Sequence, residues 1–301
     1  MSAFRSAAPA KLNLYLHVLG RRPDGYHELD SLIVFAGVAD TLSAAPSADL
    51  RLDIDGPFAA PLRADADNLV LRAARKLAAA AGIDAGARLR LTKRLPVASG
   101  IGGGSADAAA ALRVLSALWG LDLADDRLPS IAAGLGADVP VCVAGTPSFV
   151  FGVGEVIRPA PPLPPASVVL VNPGTPVPTG RVFAGLHAFR DAGAASPRLA
   201  AAAGHDLAAL VAALSDTGND LAVPARAIAP AIDDVLAALA ARPGCLMSRL
   251  SGSGATCFGL FAAAEAARHA AAALRRDRPD WWVAEGPLLD EPPKVETDPA
   301  G

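Results

Sequence analysis

Between Pro96 and Ala109 the chain reads Pro-Val-Ala-Ser-Gly-Ile-Gly-Gly-Gly-Ser-Ala-Asp-Ala-Ala, with four glycines in the five positions from Gly100 to Gly104. Successive glycines let the backbone turn several N–H groups toward one anion. A helix starting directly behind them adds unpaired N–H groups and the positive end of its dipole. Phosphate is the natural ligand for such a cradle. A flexible loop with no ligand is the bland alternative, and this density of glycine directly before a strong helix weighs against it. Two other phosphate motifs are excluded. A P-loop ends in Gly-Lys-Ser/Thr, yet no lysine lies between Lys93 and Lys294. A G-x-G-x-x-G fingerprint started at Gly100 ends on Ser105, and started at Gly102 it ends on Asp107.

Three further segments carry groups with chemistry in them. Pro9 to Leu16 places Lys11 and Asn13 on one side of an alternating stretch, which suits a polar cleft. Gly134-Leu-Gly-Ala-Asp-Val-Pro sets Asp138 before an apolar run, where a helix-capping role would suffice. Arg249-Leu-Ser-Gly-Ser-Gly-Ala-Thr joins two apolar stretches through small residues. By itself that is an ordinary hairpin turn; otherwise it is a second loop able to approach a ligand closely.

The elements that must hold these groups follow from periodicity. Leu12, Leu14, Leu16 and Val18 alternate with Asn13, Tyr15 and His17, which predicts a strand buried on one side. Arg21 to Gly25 is a turn, and Leu32 to Val38 is the returning strand. A helix is expected from Asp67, as N-cap, to Gly82. A strand through Leu89 and Leu91 then leads into the glycine-rich segment, and a helix carries Leu112, Leu115, Leu118 and Trp119 out of it. The proline-rich stretch from Pro159 to Pro165 marks a boundary. Beyond it, strands at Ser167–Val171, Leu246–Leu250, Ala255–Phe261 and Trp281–Ala284, with helices between, give the β-α-β-β-α-β order of a split βαβ unit.

Bulk properties narrow the partners. The 301 residues are 52% hydrophobic with a formal net charge of −3, and no long basic run is present, so a nucleic-acid partner is disfavoured. The three cysteines, Cys142, Cys245 and Cys257, have neither disulfide arithmetic nor metal-ligand spacing. Lys11 interrupts the apolar stretch a signal peptide would need, and no apolar run approaches the ~18–20 residues that span a bilayer. A soluble cytoplasmic protein with no membrane partner is expected.

Taken in order, Lys11 with Asn13, the Pro96–Ala109 loop, Asp138 in Ala-Asp-Val-Pro and the Ser251–Thr256 loop resemble the motifs of the GHMP kinases. Gly25-Tyr-His-Glu-Leu after Arg21-Arg-Pro-Asp, Val171-Asn-Pro-Gly, Pro178-Thr179 and Gly218-Asn-Asp-Leu resemble a narrower branch acting on an alcohol that carries cytidine diphosphate. Ile101 and Ala106 depart from the leucine and serine expected in the glycine-rich loop, and Ser251 and Ser253 are small variants in the late loop. The segment from Leu186 to Leu199 matches nothing in that pattern.

The resemblance implies a two-domain α+β GHMP kinase fold. An N-terminal domain like ribosomal protein S5 domain 2 would span residues 1–158, and a ferredoxin-like split-βαβ domain residues 159–290. A Pro- and charge-rich tail over 291–301 is expected to be disordered. It also implies ATP and Mg2+ as cofactors, a small-molecule substrate, and a monomer or weak homodimer. Pro96, Val97, Ala98, Ser99, Gly100, Ile101, Gly102, Gly103, Gly104, Ser105 and Ala106 would hold the ATP phosphates, with Ser105 also a contact for the metal. Asp138 would take the proton of the substrate hydroxyl and Lys11 would pair with it. Tyr26 and Phe183 would sandwich the cytosine, His27 would bond its edge, and Asn13 and Thr179 would position the polar arm. Asn68 is either a helix cap or a contact on the adenine side. The competing expectations are a GHMP kinase for mevalonate, homoserine or a sugar, a catalytically dead nucleotide-binding regulator, and, more distantly, a dinucleotide-dependent oxidoreductase.

Overall fold

The computed structural model describes residues 3–121, 127–190, 199, 201 and 206–298. Its backbone is a long hairpin of β1 (Ala3–Arg21) and β2 (His27–Ala45), 19 residues each. The hairpin closes on the predicted turn, where Gly25 adopts φ +88° and Arg22 pairs with Asp24 at 2.9 Å. The returning strand thus begins at His27, five residues before the apolar run that marked it, because the turn itself sets the register Arg21↔His27. Bulges at Pro9/Lys11, Asn13/Tyr15 and Val18/Gly20 break the ladder. They sit where β1 passes the site, as bulges often do.

β1 is buried on both faces rather than one: Leu12, Leu14 and Tyr15 are fully buried, and Asn13 and His17 nearly so. The reason is that three separate apolar cores share this hairpin. Ala8, Ile33 and Phe35 join the core under the N-terminal helices; Leu12, Leu14 and Tyr15 join a central one; Leu16 and Val18 join that of the C-terminal half.

Around the hairpin the N-terminal half adds β3 (Leu50–Asp55) parallel to β4 (Ala87–Thr92), with α1 (Leu69–Ala81) between them in sequence. α2 (Gly103–Trp119), α3 (Arg127–Ala133) and α4 (Val139–Ala144) follow, then the antiparallel pair β5 (Ser148–Gly152) and β6 (Val156–Pro159). The C-terminal half contains β7 (Ser167–Asn172), α5 (Thr179–Ala184), α6 (Leu207–Ser215), α7 (Ala222–Ile228), α8 (Ala231–Ala240), β8 (Cys245–Leu250), β9 (Cys257–Phe261), α9 (Ala264–Asp277) and β10 (Trp282–Leu289). Its four strands are ordered β10-β7-β9-β8, all antiparallel, which is the ferredoxin-like arrangement expected from the split βαβ order.

The last strand runs past Ala284 to Leu289 and crosses Pro287. At that point it leaves β7 (Pro287↔Ser167) for β2 (Leu288↔Ala36), so a proline that reads as a strand end marks a change of partner. Through β10 one sheet runs across both halves. The tail expectation is corrected as well. β11 (Val295–Asp298) pairs antiparallel with Ala3–Ser6 of β1, covering an otherwise open strand edge, and Arg5 meets Glu296 at 2.9 Å. The remainder of that tail, 299–301, lies outside the described residues, as does most of the unmatched segment after Arg190.

Candidate active site

The glycine-rich segment leaves β4 and enters α2 as a left-handed kink. Gly100 and Gly102 hold φ +80° and +64°, and Ala98 is also left-handed at +50°. Glycine is required at two of these positions for space as well as conformation. A Cβ on Gly100 would stand 2.5 Å from the Ser251 carbonyl oxygen, and one on Gly102 would stand 3.1 Å from Cβ of Lys11. The loop is therefore pressed between β1 and the Ser251–Thr256 loop. Lys11 N–H donates to the Ile101 carbonyl at 2.9 Å, Thr256 N–H to Ser99 at 3.1 Å, and Ser251 Oγ to the Gly100 carbonyl at 3.1 Å.

α2 starts with no side-chain cap and no acidic residue in its first turn. The N–H of Ala106 is the first to be spent, on the Gly102 carbonyl at 2.9 Å. Gly103, Gly104 and Ser105 line the open cavity in front of the helix, so their donors and the positive end of a 17-residue helix face it. Ala98, Ser99, Gly100 and Gly102 line it too. Pro96, Val97, Ile101 and Ala106 do not. Ile101 and Ala106 are turned into the core, and Ala106 has no donor left to offer.

Lys11 and Asp138 come together in the same cavity. Nζ of Lys11 lies 3.3 Å from Asp138 Oδ2 and 3.2 Å from Asn13 Oδ1. Asn13 is fixed in turn, its amide donating to Ser31 Oγ at 2.8 Å. Asp138 occupies the N-cap position of α4, but its side chain makes no capping bond. The capping explanation therefore fails, and the carboxylate is free to face Lys11 and the cavity. Asn68, by contrast, is the cap of α1: Oδ1 accepts from Val70 N–H at 3.0 Å and Nδ2 donates to the Arg63 carbonyl at 2.8 Å. It displaces Asp67 from that role, and it is not among the residues that line the cavity.

The Ser251–Thr256 loop is held by two asparagines whose roles were not apparent in the sequence. The Asn219 amide donates to the Leu250 and Gly252 carbonyls at 2.8 Å each, and Asn172 Nδ2 donates to Thr256 Oγ1 at 2.9 Å. Thr179, at the start of α5, meets Ser253 Oγ at 2.8 Å, so the loop and α5 form one wall of the cavity.

At the far end stand the aromatic groups. His27 packs on Phe183 with centroids 4.8 Å apart and planes 32° apart, and Phe189 lies 6.2 Å from His27. Burial, and then the charge of Arg21, lowers the His27 pKa. Tyr26 is 63% exposed at the rim. His187 and Phe189 also line the cavity; they fall in the segment that carried no motif. The whole cavity measures about 1080 Å³ and takes in every predicted substrate residue, Asn13, Tyr26, His27, Thr179 and Phe183.

The donors fit an anionic ligand chain. Among the described residues no group of three or more His, Cys, Asp or Glu is placed to hold a metal ion. Among the same residues no helix is long and apolar enough to cross a membrane.

Comparison with known proteins completes the picture. The family model of the GHMP kinases N terminal domain matches residues 68–146, and that of the GHMP kinases C terminal domain matches residues 199–279. A protein of Paramagnetospirillum magneticum named 4-diphosphocytidyl-2-C-methyl-D-erythritol kinase is 53% identical over 292 residues, covering 96% of this chain and 100% of its own. A protein of the same name from Cereibacter sphaeroides is 56% identical over 283 residues, 94% of this chain and 98% of its own. A crystal structure of 4-(cytidine 5'-diphospho)-2C-methyl-D-erythritol kinase superposes with TM-score 0.75 at 36% identity, over 94% of this chain and 98% of the other. Homoserine kinase from Cytophaga hutchinsonii gives TM-score 0.76 at 20% identity over 98% of each chain, a likeness of fold.

Proposed function

The chain belongs to the GHMP kinase family and is a kinase, and from that premise we propose that it transfers the γ-phosphoryl group of ATP to the 2-hydroxyl of 4-diphosphocytidyl-2-C-methyl-D-erythritol, a step of the non-mevalonate route to isoprenoid precursors. The observation that carries this reading is the continuity of one cavity. It runs from the open N-terminus of α2, past the Lys11–Asp138 pair, to the His27–Phe183 wall.

In this reading the triphosphate lies against the backbone N–H groups of Gly103, Gly104 and Ser105. Asp138 accepts the proton of the attacking hydroxyl, and Lys11 neutralises charge on the moving phosphoryl group. Asn13, anchored on Ser31, fixes both Lys11 and the polar arm of the acceptor. Thr179 holds that arm from the opposite wall. The cytosine lies at the aromatic end, between Tyr26 at the rim and the Phe183 side, with the His27 imidazole at its edge. Ser105 is the residue whose hydroxyl would contact a magnesium ion, and such an ion would supply positive charge to offset that of the phosphates.

The division into residues 1–158 and 159–290 is proposed on the same basis, each half supplying one wall of the cleft. A coupled ATP-turnover assay with this substrate beside mevalonate and homoserine tests the function. Turnover with the cytidine substrate alone is expected. Turnover only with another alcohol would keep the phosphoryl-transfer site and remove the cytidine pocket.

A further inference from the structure

The Gly218-Asn-Asp-Leu motif has two polar side chains that the proposed reaction does not use, since neither Asn219 nor Asp220 lines the cavity. The motif lies between α6 and α7 and docks on β1 in parallel register, Leu16 opposite Asn219. Leu16 N–H donates to the Gly218 carbonyl and Asp220 N–H to the Leu16 carbonyl, each at 2.9 Å. Consecutive residues of an extended stretch send their side chains to opposite sides. Here Asn219 bonds the carbonyls on either side of Ser251, whereas Asp220 reaches the stretch that follows α5.

Both carboxylate oxygens of Asp220 meet donors. Oδ2 accepts from Val18 N–H at 2.9 Å, and Oδ1 accepts from Arg190 Nε at 2.8 Å. The aspartate side chain is 15% exposed and that of the arginine 46%. Arg190 is tied to the same strand through its backbone, its N–H donating to the Val18 carbonyl at 2.9 Å. It directly follows Phe189, which lines the cavity with Leu186 and His187 and stands 6.2 Å from the His27 ring that packs on Phe183. Residues 186–190 belong to no helix or strand. Periodic backbone bonding therefore does not fix Phe189, and the anchors at Arg190 take over that task.

We propose that Asp220 is a positioning residue for the aromatic end of the cavity. By clasping Arg190 to β1 it sets Phe189 as a third ring beside His27 and Phe183, and so governs how tightly the base of the acceptor is held. The proposal rests on the reading of that end as the cytidine pocket. β1 also carries Lys11 and Asn13, so the clasp keeps the base wall in register with the reacting end. The Val18 bond already orients the carboxylate, and the pair costs less to order than an isolated surface ion pair. An amide in place of the carboxylate cannot serve both partners. Its Nδ2 would face either the Val18 N–H or the Arg190 guanidinium, donor against donor.

The test is steady-state turnover of the full chain, with the cytidine substrate and ATP varied separately and an unfolding midpoint measured for each protein. Asp220→Asn and Arg190→Met should each raise KM for 4-diphosphocytidyl-2-C-methyl-D-erythritol on the order of fivefold to tenfold, with kcat and KM for ATP within about twofold of the wild type. Arg190→Lys, which keeps the charge, should recover part of that loss. Phe189→Ala should raise the same KM, and adding Asp220→Asn to it should change KM by less than about twofold, because the effect of Asp220 passes through that ring. Arg190 is half-exposed, so Arg190→Met tests the clasp even if Asp220→Asn does not fold. Independent effects in the double variant, or equal rises in both KM values with a lowered midpoint, would overturn the proposal and leave Asp220 a structural residue only. An unchanged KM for the cytidine substrate in Asp220→Asn and Arg190→Met would overturn it while leaving the base pocket intact. A wild type that does not turn over the cytidine substrate would overturn the reading of the pocket and this proposal with it.

Discussion

The Lys11 ammonium and the Asp138 carboxylate meet at 3.3 Å with opposite exposures, 6% for the lysine side chain and 45% for the aspartate. A buried cation fixed by Asn13 therefore holds a carboxylate that a ligand can still reach. That asymmetry suits a pair in which one member must contact an incoming hydroxyl and the other must stay oriented.

Replacing Asp138 by Asn keeps shape and removes the proton acceptor. The turnover number should fall about 10²–10⁴-fold, with ATP affinity by calorimetry within about twofold of the wild type, since α2 is untouched. Lys11→Met should lose turnover by a similar factor. Near-normal turnover in Asp138→Asn would remove that residue from the chemistry, and a change confined to KM in Lys11→Met would make the lysine a binding group.

Gly102→Ala tests whether the loop conformation is itself required. At φ +64° an L-residue is strained by about 1 kcal/mol, and its Cβ would press on Lys11 Cβ at 3.1 Å. A stability loss of about 1–2 kcal/mol in urea unfolding is expected. Turnover should fall more steeply than stability, because the displaced side chain is Lys11. Unchanged turnover with unchanged stability would show that the loop relaxes freely.

How much of this was legible beforehand depended on whether a residue's signal was local. The glycine-rich loop, the turn at Gly25 and the Lys11/Asn13 parity follow from spacing along a few residues, and all are found. Asp138 in isolation reads as a helix cap; only the tertiary approach of β1, which brings Lys11 to it, decides against that. In the sequence Asp107 matters solely as the residue that breaks a dinucleotide fingerprint, Asp40 gives no signal, and Lys93 reads as a basic residue suited to a small anion, whereas it is buried against those two carboxylates. Their meaning depends on three distant elements converging. The same holds for Asn219 and Asn172, whose amides satisfy loop carbonyls and hydroxyls that sequence does not bring together. Pro287 and the Pro-rich tail misled because proline reads as an ending, whereas here one proline marks a change of partner and two others lead into β11.

The aromatic end predicts a separation of kinetic effects. His27→Ala removes both an edge hydrogen-bonding group and the ring that packs on Phe183 at 4.8 Å. Loss of base stacking and bonding is worth roughly 1–3 kcal/mol, so KM for the cytidine substrate should rise about 10–100-fold. KM for ATP should stay constant. Phe183→Leu, which keeps packing against the C-terminal core, should show the same split more weakly. Equal rises in both KM values would place these rings in general folding rather than substrate binding.

Arg113 predicts a stability effect that reaches the site. It is 5% exposed, no carboxylate among the described residues pairs with it, and burial lowers its pKa to about 10. Its guanidinium donates to Ser6 Oγ at 3.2 Å, Ala7 O at 2.9 Å and Cys142 O at 3.1 Å, tying β1, α2 and α4 together. Arg113→Met leaves buried carbonyls without donors and should cost about 3 kcal/mol in chemical unfolding. An unfolding midpoint equal to the wild type would show that water replaces the guanidinium at no net cost.

Finally, the Asp107 carboxyl makes stability depend on pH in a direction opposite to most carboxylates. Burial raises its pKa from 3.8 to about 7 in the folded protein. Between those values the native state binds more protons than the unfolded chain, so this group's contribution to stability is fully present below pH 3.8 and is lost as pH rises toward 7. Above the folded value the native state carries the full cost of a buried anion. Asp107→Asn cannot incur that cost. The difference in unfolding free energy between variant and wild type should therefore shift in the variant's favour by on the order of 2 kcal/mol between pH 5 and pH 8. Parallel urea titrations at both pH values measure that difference directly, and the absence of any shift would mean that Lys93, which donates to Asp107 Oδ2 at 2.7 Å, holds the carboxyl ionised throughout.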